Sequence, residues 1–171
     1  MDWKFICFDV EANGFTPSEM YCICMTDLLT GEELTFEQDR IAEGCIILAD
    51  ADMLVGHYIR GYDCPTIEKL TDGLIKFDKN KLVDTLDMSK ALVKENKKHS
   101  LRVWGDFLGL PKLESPLFEQ YTPAMIPYCQ RDVAVNVKLF GHLLEIYLEN
   151  ERRIKFRNAE KLEDFFKALV S

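Results

Sequence analysis

The chain opens with apolar stretches that predict buried strands. Residues 3–10, "WKFICFDV", carry apolar side chains on both parities, as expected of a central strand that is covered on both faces. Residues 20–28, "MYCICMTDL", form a second stretch, and residues 33–37, "ELTFE", form a third after the turn signal Thr30-Gly31. Together the three stretches predict an antiparallel meander.

Beyond the meander the pattern alternates between helix and strand. Residues 41–50 are predicted to be helical, and "MLVGHY" (53–58) is predicted to be a strand. Residues 64–71, "CPTIEKLT", then predict a helix with a proline in its first turn, and a short strand is expected at 82–83. From Leu86 onward the pattern is helical.

Two features define the later helices. Ser100 is the predicted N-cap of a helix over 101–108, and Gly109 is its predicted stop. The last long helix has apolar residues at a spacing of three to four, namely Val133, Val137, Phe140, Leu144 and Tyr147. Strands first, then an alternation, then helices predict an α/β fold: a three-layer domain with a mixed central sheet flanked by helices.

The sequence predicts one domain over residues 1–150 and a C-terminal helical extension over 151–171. The polar run 149–160 is the candidate linker between them. In the extension, Leu162, Phe165, Phe166 and Leu169 fall on one helical face, which either packs on the domain or docks a separate protein.

Composition narrows the class of protein. The chain is 47% hydrophobic and 29% charged, it has no continuous apolar run of about 18 residues, and it begins without a signal-peptide pattern, so a cytoplasmic protein is expected. Its net charge of −8 argues against a broad basic surface that grips nucleic acid. A nuclease whose acidic pocket is neutralised by metal ions stays compatible with that charge.

The six cysteines show no Cys-x-x-Cys pair, and only three histidines accompany them. This pattern does not indicate a zinc site. Free, buried thiols are expected, and Cys22 and Cys24 are interpreted as two strand residues that face the same way.

Two carboxylates end the first strand. Asp9 and Glu11 are two residues apart, so both side chains project from the same face of the strand. Such neighbours repel each other unless a cation lies between them, and an oxygen-only site suits Mg²⁺ or Mn²⁺. A solvated strand end is the alternative.

Two further motifs carry acids. Tyr62-Asp63 follows the predicted strand at 53–58, where Asp63 is either a functional carboxylate or the N-cap of the next helix. Tyr128 and Asp132 are four apart and therefore share one face of the last long helix. For Asp132 the alternative is an ion pair with a nearby Lys or Arg.

In this order the acids resemble the DEDD superfamily of 3′–5′ exonucleases, in its tyrosine-bearing subgroup. The segments "DVEANGF", "VDTLDMSKAL", "HSLRVWGDFLGL" and "MIPYCQRDVAVNVKLFGHLL" resemble the proofreading exonuclease domain of bacteriophage family-A DNA polymerases over about residues 3–148, without a polymerase domain. The resemblance implies a ribonuclease H-like fold and a two-metal-ion mechanism with Mg²⁺ or Mn²⁺. It identifies Asp9, Glu11, Asp63 and Asp132 as metal ligands and Tyr128 as a further catalytic residue.

The resemblance also implies roles for these side chains. Asp9 would bridge both ions, Glu11 and Asp132 would complete the ion that binds the attacking water, and Asp63 would hold the second ion. Tyr128 would orient the water, because a phenol is a poor base at neutral pH. The reaction would release nucleoside 5′-monophosphates from a DNA 3′ end.

Substrate contacts are expected around the first two motifs. Asn13-Gly14 predicts a turn that lets the backbone approach a 3′ end, and Phe15 would wedge or stack against the terminal bases unless it belongs to the core. Tyr62 and Tyr58 are the other candidates. The family usually has Asn where this chain has Tyr58, so the family's polar contact with the substrate strand does not carry over.

Three functions are compatible with these residues. The first is a DNA-directed 3′–5′ exonuclease that acts on a single-stranded 3′ end and proofreads for a separately encoded polymerase or replisome protein. The second is a small exoribonuclease of the same superfamily, whose usual third motif has His five residues before the Asp, where this chain has Pro127. The third is a non-catalytic nucleic-acid-binding module, which the presence of all four acids and the tyrosine argues against.

Overall fold

The computed structural model describes residues 3–149, so the predicted extension at 151–171 and its apolar face lie outside the described residues. One five-stranded sheet, with the spatial order β3-β2-β1-β4-β5, forms the centre of the fold. Its strands are β1 (Phe5–Ala12), β2 (Met20–Asp27), β3 (Glu33–Glu37), β4 (Met53–Gly56) and β5 (Leu82–Asp84).

The sheet is mixed, as predicted. β1, β2 and β3 pair antiparallel, whereas β4 and β5 pair parallel to β1 and to each other. The opening meander is therefore confirmed, and β1 is the strand where the antiparallel and parallel halves meet.

Five α-helices cover the sheet and complete three layers. They are α1 (Ile41–Asp50), α2 (Asp63–Leu70), α3 (Thr85–Leu92), α4 (Leu101–Phe107) and α5 (Met125–Glu149). One core lies between the sheet and α1 and α2, and the other lies between the sheet and α3, α4 and α5. Within the described residues no helix has both the length and the apolar character of a membrane span.

The two parities of β1 fill both cores. Ile6 and Phe8 pack towards α1 and α2, whereas Phe5 and Cys7 pack towards α5. Ile6, Cys7 and Phe8 are fully buried. The prediction of a central strand is confirmed, and it places the next residue of the α5-facing parity, Asp9, at the edge of the core.

Two predicted boundaries are wrong. β4 ends at Gly56 rather than at 58, because Tyr58 adopts the left-handed conformation (φ 69°), which no strand can continue through. The region after Leu86 is also not helical throughout, since residues 108–124 contain neither helix nor strand. A loop of this length inside a compact domain is uncommon and is often functional.

The helix ends agree in part with the prediction. Gly109 has a φ of 69° and ends α4 as expected, whereas Ser100 stands at the N-cap position without a capping side-chain hydrogen bond. On α5, Val133, Phe140 and Leu144 are buried as predicted. Val137 and Tyr147 are only half-buried, because the face that packs on the sheet is centred closer to Leu139 and Leu143.

Candidate active site

The predicted acids and the tyrosine meet in one pocket. Asp9, Glu11, Asp63, Tyr128 and Asp132 all line a cavity of ≈ 330 Å³ at the edge of the sheet. They come from β1, the start of α2 and the first two turns of α5. Positions separated by more than 120 residues in the chain are thus brought together by the sheet.

β1 supplies the centre of the cluster. Asp9 and Glu11 project from the face of β1 that packs on α5, as the two-residue spacing predicted, and their carboxylate oxygens lie within 4.8 Å of each other and of the Cys129 Sγ atom. Glu11 is only 6% exposed, whereas Asp9 is half-buried and faces the cavity. Both are held by the pairing of β1 with β2, where Asp9 lies opposite Cys24 and Glu11 lies opposite Cys22.

Asp63 approaches from the other side of β1. It is the first residue of α2 and its side chain makes no capping bond, so the N-cap interpretation is wrong. Instead its Oδ1 atom accepts a hydrogen bond from the backbone N–H of Val10 at 3.1 Å. This bond directs the carboxylate across the strand towards the Asp9 side of the pocket.

α5 contributes the remaining pair. Tyr128 and Asp132 lie one turn apart on its sheet-facing side, and they are 9% and 5% exposed. The Oδ1 atom of Asp132 is buried and, among the residues that the structure describes, has no hydrogen-bond partner. A buried carboxylate oxygen with no partner is unfavourable and marks a position where a cation or a water is expected.

Lys112 is a member of the site that the sequence did not reveal. It lies in the 108–124 loop, and its Nζ atom forms an ion pair with the Oδ2 atom of Asp132 and sits 4.8 Å from the centre of the Tyr128 ring. The predicted alternative, that Asp132 pairs with a basic residue, is therefore also correct. The same loop places Phe118 edge-to-face on Tyr128, with ring centres 6.0 Å apart.

The residues proposed to contact substrate surround the mouth of the pocket. Phe15 is 99% exposed, so the core interpretation is wrong, and its ring lies 6.4 Å from that of Tyr62. The Tyr62 hydroxyl donates to the backbone carbonyl of Gly14 at 2.8 Å, which holds the turn, and Gly14 has a φ of 116° that favours glycine. Asn13, also predicted to contact substrate, does not line the cavity. Its side-chain amide forms hydrogen bonds with Ser18 and Glu19 of its own loop.

Tyr58 lines the same pocket and has an unusual backbone. Its φ of 69° lies in the left-handed region, where Gly or Asn is more favourable than an aromatic residue. Its N–H donates to the Oδ1 atom of Asp84 at 2.9 Å, which fixes the turn, and its ring is 54% exposed over Gly61.

Burial and the closeness of neighbouring carboxylates both raise the pKa values of the acids in the pocket. Burial, joined by repulsion from Asp132, raises the pKa of Glu11 from 4.5 to about 8. Burial also raises the pKa of Asp63 from 3.8 to about 7, and burial together with Asp63 and Glu11 raises the pKa of Asp9 well above its usual range. The positive charge of Lys112 opposes these effects at Asp9, Glu11 and Asp132, and backbone N–H groups oppose them at Asp63.

These residues fit hard divalent cations. Four carboxylates offer an oxygen-only donor set, which Mg²⁺ and Mn²⁺ prefer, and the partnerless Asp132 Oδ1 points to an absent partner. Asp9, Glu11, Asp63 and Asp132 are the residues that would hold such ions. Cys129 also touches Asp9, but a thiol is a poor ligand for hard ions.

Known structures share the architecture. A nuclease in its apo form matches with a TM-score of 0.69 and 18% identity, covering 98% of this chain and 82% of that one. Brucella melitensis NrnC bound to pGG matches with a TM-score of 0.67 and 15% identity, covering 98% and 83%. The chain has a ribonuclease H-like nuclease fold.

Two further structures extend the comparison. Brucella melitensis NrnC with bound Mg²⁺ has a TM-score of 0.65 and 16% identity over 98% of this chain and 83% of its own. The family B DNA polymerase from the hyperthermophilic archaeon Pyrobaculum calidifontis has a TM-score of 0.57 and 19% identity over 84% of this chain and 24% of the polymerase. No family model matches the chain, and no curated protein sequence is significantly similar to it.

The raised carboxyl pKa values predict an unusual pH dependence of stability. Without metal, the folded state holds protons on Glu11 and Asp63 that the unfolded chain has released, so the free energy of unfolding falls as the pH rises between about 5 and 8. Mg²⁺ competes with these protons, so its stabilising effect is larger at the upper end of that range. Urea unfolding in EDTA and in Mg²⁺ across this range checks both statements, with Glu11→Gln expected to flatten the EDTA profile.

Replacing Lys112 by Met is expected to destabilise the metal-free protein by about 3 kcal/mol, because it leaves the buried Asp132 carboxylate without its cation. Mg²⁺ is then expected to stabilise this variant more than the wild type, since the pocket has become more negative. Urea unfolding with and without Mg²⁺ measures both effects. Lys90→Met removes an exposed lysine and serves as the matched control. If both variants lose the same free energy of unfolding, the stabilising role of the Lys112–Asp132 ion pair is contradicted.

Proposed function

We propose that the protein is a metal-dependent 3′–5′ exonuclease that hydrolyses DNA to nucleoside 5′-monophosphates. The observation that carries this proposal is the convergence of Asp9, Glu11, Asp63, Asp132 and Tyr128 in one pocket whose mouth carries the exposed ring of Phe15. A ligand cluster for hard cations beside an aromatic platform is the arrangement that phosphodiester hydrolysis at a strand end requires.

The comparisons support a nuclease that binds nucleic acid and Mg²⁺. The fold is shared with a nuclease and with NrnC, and NrnC is known both with Mg²⁺ and with pGG. The fold is also shared with part of a DNA polymerase, which supports a DNA substrate and a proofreading role in trans for a separately encoded polymerase or replisome protein. The resemblance to the exonuclease domain of phage polymerases supports the same substrate.

When bound, two divalent ions would supply an activated water and would stabilise the leaving 3′ oxygen. The chain's own residues hold and order this chemistry. The four carboxylates would provide the ligands, and Tyr128, which lines the same cavity, would orient the attacking water. Lys112 packs against the Tyr128 ring and restricts its rotation while it offsets the charge of Asp132.

The strand end is held at the mouth of the pocket. Phe15 and Tyr62 form an edge-to-face pair on a turn that is fixed by the Tyr62–Gly14 hydrogen bond, so a terminal base can stack on Phe15 without reordering the loop. The ring of Tyr58 lies on the same cavity wall. A cavity of ≈ 330 Å³ admits a terminal nucleotide rather than a duplex, which favours removal of nucleotides one at a time.

A small exoribonuclease is the alternative function. The pGG bound by NrnC keeps short oligonucleotides among the candidate substrates. Against a ribonuclease of that superfamily, Pro127 occupies the position where its third motif carries His. A non-catalytic module is disfavoured, since all five catalytic side chains share the pocket.

Incubation with 5′-labelled single-stranded, blunt and 3′-recessed DNA and with matched RNA tests the function. A ladder that shortens from the 3′ end in Mg²⁺ or Mn²⁺ and disappears in EDTA is expected, with faster loss of DNA than of RNA. Asp9→Ala and Asp132→Ala are expected to abolish cleavage, and Tyr128→Phe is expected to slow turnover about 10²-fold with metal affinity retained.

Asp106→Asn removes an exposed carboxylate on α4 and serves as the control for these variants. It is expected to cleave at the wild-type rate. Full activity of Asp9→Ala would refute the two-metal mechanism. Faster cleavage of RNA would favour the exoribonuclease, and metal-independent binding without cleavage would favour the non-catalytic module.

Phe15→Ala is expected to weaken binding of a single-stranded 3′ end by about 1–3 kcal/mol, because it removes the ring on which the terminal base stacks. The effect should appear in KM more than in kcat, since Phe15 does not touch the carboxylates. Steady-state kinetics on single-stranded DNA measure it. Phe15→Trp keeps an aromatic surface and should restore binding, whereas equal KM values for Phe15→Ala and wild type would remove Phe15 from the substrate site.

A further inference from the structure

Three thiols lie together beneath the carboxylate pocket. Cys22 and Cys24 project from one face of β2, as their spacing predicted, and Cys129 of α5 meets them there. The three Sγ atoms all lie within 4.8 Å of one another, and none of the three residues is more than 1% exposed. The sequence shows no zinc pattern because Cys129 is more than 100 residues away from Cys22 and Cys24 in the chain.

The thiol cluster is continuous with the carboxylate pocket. The Cys129 Sγ atom lies 3.4 Å from the backbone oxygen of Asp9 and 3.6 Å from its Oδ2 atom. Cys129 also forms a second compact group with Asp9 and Glu11, in which the ligand atoms are again within 4.8 Å of one another. Asp9 lines the cavity, so an ion that enters the cavity reaches Cys129 by way of Asp9.

We propose that Cys22, Cys24 and Cys129 bind one thiophilic divalent ion, of the zinc and cadmium class, and that Asp9 completes its coordination. Each thiol would release its proton to solvent as it binds, so the site would exchange protons for the ion. Because Asp9 is also a ligand of the proposed catalytic ions, occupation of the thiol site would inhibit the nuclease. The inhibition, though not the binding, rests on the proposed function.

The distance between Cys129 and Asp9 suits a tetrahedral ion. With Zn–S bonds of about 2.3 Å and Zn–O bonds of about 2.1 Å, tetrahedral geometry places sulfur atoms about 3.8 Å apart and a sulfur about 3.6 Å from the oxygen. The separation of Cys129 Sγ and Asp9 Oδ2 is 3.6 Å. The three sulfur atoms lie within 4.8 Å of one another, whereas Asp9 forms such a group with Cys129 but not with all three thiols. The side chains must therefore move closer together for all four to bind one ion.

Ligand chemistry separates the two classes of ion. Thiolates select soft or borderline ions, whereas the carboxylates of Glu11, Asp63 and Asp132 select hard ions such as Mg²⁺. Asp9 is common to both sets. The two sites are therefore antagonistic: Mg²⁺ should weaken binding of the thiophilic ion, and the thiophilic ion should displace the carboxylate that the hard ions require.

Titration of the reduced, metal-free chain with Cd²⁺ tests the site without substrate. The ultraviolet charge-transfer band of cadmium bound to thiolates is expected to grow until one equivalent is bound. Cys24→Ser is expected to weaken Cd²⁺ binding at least about tenfold and to reduce the band. Cys45→Ser removes a buried thiol from the other core and should leave both unchanged. Mg²⁺ in excess should lower the apparent Cd²⁺ affinity of the wild type.

The outcomes separate this site from the nuclease assignment. If the folded wild type shows no cadmium–thiolate band, the proposed thiol site is refuted. It is also refuted if Cys24→Ser and Cys45→Ser reduce the band equally. Should Cys24→Ser fail to fold, Cys22→Ala and Cys129→Ala provide the same comparison. If Mg²⁺ does not change the apparent Cd²⁺ affinity read from the band, the proposal that Asp9 is a ligand of both ions is refuted. A band in a protein that cleaves no nucleic acid supports the thiol site and refutes only the proposed function.

Discussion

Repulsion between carboxylates at the end of a buried strand is the constraint around which this structure is organised. Asp9, Glu11, Asp63 and Asp132 share one pocket in a setting that disfavours their charged forms. The fold does not relieve this by moving the acids apart. It holds them by the pairing of β1 with β2, by the Val10 N–H bond to Asp63, and by the ion pair between Lys112 and Asp132. The carboxylates that remain without a cationic partner are the reason why we propose divalent ions at this site.

The strand and the helix that carry the carboxylates are packed so that they hold these side chains close together. β1 is the only strand of the described sheet with a parallel neighbour on one side and an antiparallel neighbour on the other, and both of its faces are packed. α5 is 25 residues long, and most of its length packs into the core while its first two turns carry Tyr128 and Asp132. The catalytic candidates therefore sit on rigid elements, whereas the residues proposed to meet substrate sit on turns at the mouth.

The parts that could be predicted from the sequence are those with a local signal. Short apolar runs indicated the meander and a spacing of three to four indicated the last helix, and the spacing of Asp9 with Glu11 and of Tyr128 with Asp132 put each pair on one face. Lys112 and the Cys129 contact with Cys22 and Cys24 had no such signal, because each depends on an irregular loop or on pairing between distant segments. The strand end at Gly56 was missed because the positive φ of Tyr58 is set by its hydrogen bond to Asp84, a residue in another strand.

The distance along the chain between the members of the pocket has a consequence for biosynthesis. Asp9 and Glu11 leave the ribosome first, but the sheet edge that presents them is closed by α5, which begins at residue 125. A chain that has been made only as far as residue 124 therefore carries Asp9 and Glu11 without Tyr128 and Asp132. The pocket that all four carboxylates share can form only after Asp132 has been made and α5 has packed on the sheet.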